Sequence, residues 1–223
     1  MSETGKLSEK VKYLVMDNMR ELSAVEANIV SSNVEREIKT IIITSCHDLE
    51  GKTVSSISIA YVLSKEANAK VLLIDGNLHA PNLFELFNLD SSPGLSDLIL
   101  SNSQYDDVLR DTEYDNLIIM PHGDKVINSL DVFKSKSFKE HIDLLKQRFD
   151  YIILDGPTVL GSSDVSVLAK YFDGVIIVVE CERTRWEVLQ LAKERINNVR
   201  GNIIGAVLNK RKYYIPKVLY GNV

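Results

Sequence analysis

The chain is poor in the residues that mark several protein classes. Its 223 residues include 2 cysteines, Cys46 and Cys181, too few for a disulfide framework or a four-thiolate zinc site. The 11 glycines and 5 prolines are too sparse for a collagen-like or low-complexity chain. No apolar run approaches the ~18 residues of a membrane span, and the polar first residues do not resemble a signal peptide. We therefore expect a cytoplasmic protein with one α/β domain.

Acidic residues are absent from the C-terminal end of the chain. After Glu194 the charged residues are all basic: Arg195, Arg200, Lys210, Arg211, Lys212 and Lys217. The preceding residues contain 20 basic against 31 acidic side chains, a formal charge of −11, although the whole chain has a net charge of only −5. A basic tail on an acidic body suggests either a segment that docks on an anionic partner or a solubilising terminus.

Short β-branched runs alternate with helical patterns along the chain. Six runs predict buried parallel strands: Thr40–Thr44, Val71–Asp75, Leu117–Met120, Tyr151–Asp155, Val175–Glu180 and Ile203–Asn209. Helices are predicted at Val11–Ile29, Thr53–Lys65, Phe133–Arg148, Asp164–Tyr171 and Arg185–Val199. This alternation predicts an α/β fold with a doubly wound, mainly parallel sheet and helices on both faces. We divide the chain into an N-terminal helical segment (1–38), the α/β domain (39–209) and a basic tail (210–223).

The strongest chemical signal is TSCHDLEGKT at residues 44–53, which runs from the end of the first strand into a helix. This is the position of a phosphate-binding loop, where N–H groups at a helix N-terminus point at an anion. Lys52 is placed to reach the β- and γ-phosphates, and Thr53 to bind Mg²⁺. The match is imperfect, because Cys46 stands where the general pattern has glycine. The predicted nucleotide-binding residues here are Leu49, Glu50, Gly51, Lys52, Thr53 and Val54.

Two aspartates end neighbouring strand patterns. Asp75 closes VLLID and Asp155 closes YIILD. Because the carboxyl ends of parallel strands share one edge of the sheet, both carboxylates should lie beside the loop. Each could be only a helix cap or turn residue. Together with GKT they predict a site for a magnesium nucleotide, in which acidic residues hold the metal and position a nucleophile.

From about Glu26 onward the chain resembles the cytoplasmic domain of bacterial tyrosine kinases, members of the P-loop NTPase superfamily. That family carries S-x-x-P-G-E-G-K-S/T where residues 45–53 read SCHDLEGKT. Its D-x-D-x-R-x-P motif corresponds to DGNLHAP at 75–81, and F-D-Y-I-I-I-D-x-P-P to FDYIILDGPT at 149–158. The segment 84–98 also resembles the family's F-x-L…G-L-S-x-x-L stretch.

The resemblance implies an ATP-dependent protein tyrosine kinase that regulates capsular or exopolysaccharide synthesis or export, with ATP and Mg²⁺ as cofactors. It implies catalytic roles for Lys52, Asp75 and Asp155, and a metal site formed by Thr53, Asp75 and Asp155. It places Asn209 near the adenine. It further implies a membrane-embedded polysaccharide chain-length regulator as partner and recruitment to the inner face of the membrane. The acidic body of the chain separately predicts no nucleic acid as partner.

Tyrosines are concentrated at the C-terminus. Tyr213, Tyr214 and Tyr220 are three of the 9 tyrosines in the chain and fall within its last eleven residues. The resemblance implies that they are autophosphorylated in trans. The alternative is a final strand or a packed aromatic tail.

Several residues depart from the family pattern. In the loop Leu49 replaces a glycine and Asp48 a proline, and leucine is expected to resist the backbone angles of glycine and to crowd the phosphates. Asn77 replaces the second aspartate of the second motif, and His79 its arginine. The family's ring-forming E-x-x-R-x-x-R pattern is lost in the N-terminal helix, which removes the basis for predicting a ring, although a homo-oligomer stays open.

These departures support a second hypothesis, a catalytically weakened, kinase-like regulatory subunit. A third is a partitioning-type ATPase, whose loop carries an additional lysine where this chain has His47. DNA binding is disfavoured because the body is acidic. A transition-metal site at Cys46, His47 and His79 is a further alternative, although no additional ligand has convincing spacing.

Overall fold

A computed structural model describes residues 4–32, 37–101 and 103–212 of the chain. The predicted phosphoacceptors Tyr213, Tyr214 and Tyr220 lie outside the described residues.

The described residues form a seven-stranded sheet with the strand order β3-β4-β2-β5-β1-β6-β7. The strands are β1 (Thr40–Ser45), β2 (Val71–Asp75), β3 (Arg110–Asp111), β4 (Leu117–Met120), β5 (Tyr151–Asp155), β6 (Gly174–Glu180) and β7 (Ile203–Asn209). All neighbouring strands are parallel except β3 and β4. The predicted fold class and all six predicted strands are confirmed. The short edge strand β3 was not predicted, since two charged residues carry no apolar alternation.

Helices cover both faces of this sheet. They are α1 (Glu9–Asp17), α2 (Met19–Ser32), α3 (Lys52–Lys65), α4 (Leu83–Leu86), α5 (Leu95–Leu100), α6 (Tyr105–Val108), α7 (Ser129–Phe133), α8 (Lys136–Leu145), α9 (Asp164–Leu168) and α10 (Trp186–Asn198). Alternate strand residues face opposite sides. Ile41 and Ile43 pack in one core with α1–α4, whereas Ile42 packs in a second core with α5–α10.

Two predicted helices are each interrupted. The single helix predicted at Val11–Ile29 is wrong, because α1 ends at Asp17 and α2 begins at Met19. Asn18 lies between them with φ −112° and ψ 18°, and its side-chain amide donates to the carbonyl of Leu14 at 2.8 Å. Such local side-chain bonds compete with the helix. The helix predicted at Phe133–Arg148 is likewise divided, because Ser135 caps α8 by accepting the N–H of Phe138 at 3.0 Å.

The central strands bring the predicted site together. β5 lies between β2 and β1, and Asp75 is paired in register with Asp155. Ile43 of β1 is paired with Asp155 on the other side. The loop that follows β1 therefore lies at the same edge of the sheet as both aspartates. Among the described residues, no helix combines the length and the apolar character that crossing a membrane requires.

Candidate nucleotide and metal site

The phosphate loop (residues 45–53) joins the buried strand β1 to the N-terminus of α3 by means of two left-handed residues. Gly51 has φ 96° and is the N-cap of α3, and Leu49 has φ 66°. Leucine therefore does adopt glycine-like angles here, and the expectation that it would fail to do so is wrong. The Leu49 side chain is 77% exposed, so it can turn to solvent while its backbone adopts the angles that the loop needs. The first-turn N–H groups of α3 have no acceptor within the helix and are available to an anion.

Buried Glu50 holds the loop together from inside. Its carboxylate accepts the N–H of His47 at 3.0 Å and also the hydroxyl proton of Thr184. Its backbone carbonyl accepts from the side-chain amide of Asn209 at 2.9 Å. A Cβ on Gly51 would lie 2.0 Å from the same amide nitrogen, so glycine is required at this position. The side chains of Glu50 and Asn209 are thus both bonded to protein groups of the loop.

Lys52 and Thr53 open α3 with buried side chains. The Lys52 side chain is 9% exposed, and its ammonium lies 3.8 Å from the Asp48 carboxylate, which is a long ion pair with an exposed partner. The Lys52 charge also acts on the buried carboxylates of Asp75 and Asp155, and because its pair with Asp48 is long the ammonium is well placed to bind an anionic ligand as well. The Thr53 hydroxyl donates to Asn82 at 3.2 Å and adjoins Asp155. Val54 follows in the first helical turn and is half-buried.

Asp75 and Asp155 are completely buried, and each has a carboxylate oxygen with no hydrogen-bond partner among the described residues. The other oxygen of Asp155 accepts the Ser56 hydroxyl at 3.0 Å, and that of Asp75 accepts the N–H of Leu83 at 3.1 Å. Burial, together with the charge of Asp155, raises the pKa of Asp75 to about 8. Burial also raises the pKa of Asp155 to about 6, against the influence of Thr53 and Lys52.

These residues fit a magnesium nucleotide. Two orphaned carboxylate oxygens and a hydroxyl form a set of hard oxygen donors, which Mg²⁺ prefers. Buried polar atoms without partners are uncommon in proteins, and a bound ion would account for these two oxygens. Lys52 and the α3 N-terminus supply positive charge beside them, as polyphosphate binding requires.

The positions that depart from the family pattern are accommodated locally. The Asn77 side chain is buried and donates to the carbonyl of Ala80 at 2.8 Å. His79 contacts the buried carboxylate of Asp164 at 3.0 Å, and the Ser129 hydroxyl donates to the same oxygen at 2.7 Å. Cys46 packs in the core, and burial followed by the charge of Glu50 raises its thiol pKa to about 11, which disfavours a thiolate ligand for a transition metal.

Sequence reasoning missed three residues of the site: Ser56, Asn82 and Thr184. Ser56 lies one helical turn after Lys52, so helical spacing was the available signal. Asn82 directly follows the second family motif. Thr184 bonds to a residue 134 positions away, and no local pattern can reveal such a contact.

Comparisons with known proteins agree with this fold. The model of the AAA domain family matches residues 38–208. Tyrosine-protein kinase CpsD of Streptococcus agalactiae serotype III is 30% identical, over 84% of this chain and 80% of CpsD. The crystal structure of the chimerical protein CapA2B2 is 25% identical with a TM-score of 0.85, covering 95% of this chain and 96% of the other. The kinase domain of VpsO is 31% identical with a TM-score of 0.77, covering 88% and 98%.

Proposed function

The chain belongs to the bacterial tyrosine kinases, a family with an AAA domain of the P-loop NTPase superfamily, and we propose that it is an ATP-dependent protein tyrosine kinase that regulates capsular or exopolysaccharide synthesis. One observation carries this proposal. Two buried aspartates with orphaned oxygens lie in register at the sheet edge, beside Lys52 and the N-terminus of α3. This arrangement matches the needs of a magnesium nucleotide and of a hydroxyl nucleophile.

The site residues would have separate roles in phosphoryl transfer. Mg²⁺ would supply positive charge that offsets the charge of the phosphates. Thr53 and Asp155 would hold the metal, with Asp75 contributing the orphaned oxygen that faces the same edge. Lys52 would stabilise charge on the transferred phosphoryl group, so catalysis rests mainly on positioning and electrostatics.

Asp75 is the candidate proton acceptor. A general base must come within hydrogen-bond reach of the proton that it accepts, and one oxygen of the buried Asp75 carboxylate has no hydrogen-bond partner among the described residues. Asp75 would orient the tyrosine hydroxyl and accept its proton as the phosphoryl group is transferred.

The proposed acceptors follow the site along the chain. β7 ends at Asn209, which bonds to the phosphate loop, and Tyr213 and Tyr214 come a few residues later. The tail thus starts at the edge of the sheet that carries the site. We propose Tyr213, Tyr214 and Tyr220 as acceptors for a neighbouring molecule's site, with the basic residues before them favouring the acidic body of that neighbour.

The test is phosphotyrosine formation in purified protein incubated with Mg-ATP, followed by mass spectrometry of the C-terminal peptide. We expect signal on the tail tyrosines and its loss in Lys52→Ala. The matched control is Lys193→Ala, which removes an exposed lysine on α10. Signal that survives Lys52→Ala would refute this mechanism.

A second candidate function is a kinase-like regulatory subunit with weakened catalysis, bound to a membrane-embedded polysaccharide chain-length regulator. The observation that favours it is Asn77, whose amide is bonded within its own loop and adds no negative charge to the metal site. The triple variant Leu49→Gly, Asn77→Asp and His79→Arg should then raise turnover several-fold. Turnover that equals an active relative's without these changes would exclude this candidate.

A further inference from the structure

Two consecutive side chains at the carboxyl end of β7 donate hydrogen bonds to the backbone of the phosphate loop. Asn209 donates to the carbonyl of Glu50 at 2.9 Å, and the Lys210 ammonium donates to the carbonyl of Leu49. Residues from the last strand thus bind two successive peptide groups of the loop.

These two bonds fix the direction of the loop N–H groups. In a trans peptide the C=O and the following N–H point in opposite directions. Because β7 binds the carbonyls of Leu49 and Glu50, the N–H groups of Glu50 and Gly51 point away from β7. Backbone N–H groups in a defined orientation are what a phosphate-binding loop offers to its ligand.

Leu49 and Lys210, the two residues that this hydrogen bond joins, both have an unfavourable backbone conformation. Leu49 has φ 66° and Lys210 has φ 56°. Residues with a Cβ are disfavoured in this region and persist there only when surrounding contacts hold them. For Leu49 those contacts have to come through the backbone, because its side chain is 77% exposed.

Lys210 is itself anchored on a third element. Its ammonium lies 3.1 Å from the carboxylate of Glu180 at the end of β6, whose side chain is only 15% exposed. Arg183 contacts the same carboxylate at 3.2 Å. The Lys210 side chain, 44% exposed, therefore spans from a fixed carboxylate to the loop.

We propose that Lys210 is a positioning residue that holds Leu49 in its left-handed conformation and thereby presets the phosphate loop for its ligand. In this chain Lys210 compensates for the leucine that stands where the family pattern has glycine. The proposal deepens the proposed function, because it assumes that the loop binds the phosphates of a nucleotide.

A double-mutant cycle on nucleotide affinity tests this role. Lys210→Met should weaken binding of Mg-ADP about tenfold, a factor that corresponds to roughly 1.4 kcal/mol and is typical of a hydrogen bond to a charged group. In the Leu49→Gly background the same substitution should cost less than about twofold, since glycine needs no support in the left-handed region. Lys210→Arg keeps the charge and the donor, and should restore binding to within about threefold of the original protein.

Lys212→Met is the matched control, since it removes the same charge two residues further along the exposed chain. It should leave affinity unchanged. Equal losses from Lys210→Met in both backgrounds, or an equal loss from Lys212→Met, would overturn the proposal in favour of a general charge effect.

A second measurement separates failure of this inference from failure of the proposed function. Amide hydrogen exchange of residues 47–54 in ligand-free protein should be faster in Lys210→Met and unchanged in Lys212→Met. If the original protein binds no Mg-ADP at millimolar concentration, the proposed function fails. In that case amide hydrogen exchange still decides whether Lys210 orders the loop. Unchanged exchange in Lys210→Met overturns the positioning role.

Discussion

Replacing Asp75 with asparagine should stabilise the ligand-free protein, and the gain should grow as the pH rises. Asp75 is buried with one unpartnered oxygen, and its pKa is raised to about 8 from an ordinary value of 3.8. Between pH 3.8 and about pH 8 the folded state therefore holds a proton that the unfolded chain has released. The contribution of this carboxyl group to the free energy of unfolding is complete below the unfolded pKa and is lost as the pH rises through the folded pKa. Asparagine is neutral throughout and escapes this loss.

The magnitude follows from the width of that window. One pKa unit corresponds to about 1.4 kcal/mol, so between pH 5 and pH 8 the variant should gain on the order of 3 kcal/mol relative to the original protein. In a chain of this length that is a rise in Tm of roughly 6–12 °C. Calorimetry or fluorescence-monitored melting at the two pH values, in the presence of a chelator, measures the difference.

Mg²⁺ provides the control for this prediction. A cation bound to the ionised carboxylates stabilises the folded state by mass action, so magnesium with nucleotide should raise the Tm of the original protein at pH 8 more than that of Asp75→Asn. The reasoning is refuted if the Tm difference between the two proteins is the same at pH 5 and pH 8.

Three further substitutions test the loop and its supports. Gly51→Ala should abolish nucleotide binding in a titration, because its Cβ would lie 2.0 Å from the Asn209 amide; Asn209→Ala in the same chain should recover only part of it, since φ 96° still disfavours alanine. Ser56→Ala should destabilise the protein by about 1–3 kcal/mol in denaturant unfolding at pH 8, where Asp155 is ionised and loses its 3.0 Å donor; no change there would contradict the assigned bond. Glu50→Gln should cost about 1–3 kcal/mol in the same assay, because one acceptor oxygen replaces two that are both used; a neutral result would mean that the carboxylate does not support the loop.

The central strands of the sheet were predictable because a buried parallel strand corresponds to one short, continuous apolar run of the sequence. VLLID and YIILD are continuous apolar runs that end in aspartate, and each corresponds to one strand with its candidate site residue at the last position. The same rule failed for β3, whose two residues pair with β4 by position rather than by pattern. Helical periodicity failed at Asn18, where one side-chain bond to Leu14 accompanies the break between α1 and α2.

The positions of the candidate site residues were predictable, whereas the contacts that support them were not. Lys52, Asp75 and Asp155 stand at strand or helix ends, and topology alone brings such positions to one edge. Thr184 and Lys210 act on the loop from more than 130 residues away. Contacts of this length depend on how two loops approach in space, and that information is absent from any single segment of the sequence.

The departures from the family pattern divide into two kinds. Leu49 changes the backbone preference of the loop, yet it adopts a left-handed φ of 66°, and its carbonyl accepts from Lys210. Asn77 changes charge instead, and its amide turns to Ala80, so nothing on its own loop replaces the missing carboxylate. The left-handed conformation of the loop is therefore retained, while one negative charge beside the candidate metal site is lost. We infer that any weakening of this site concerns its hold on the cation rather than the shape of its phosphate loop.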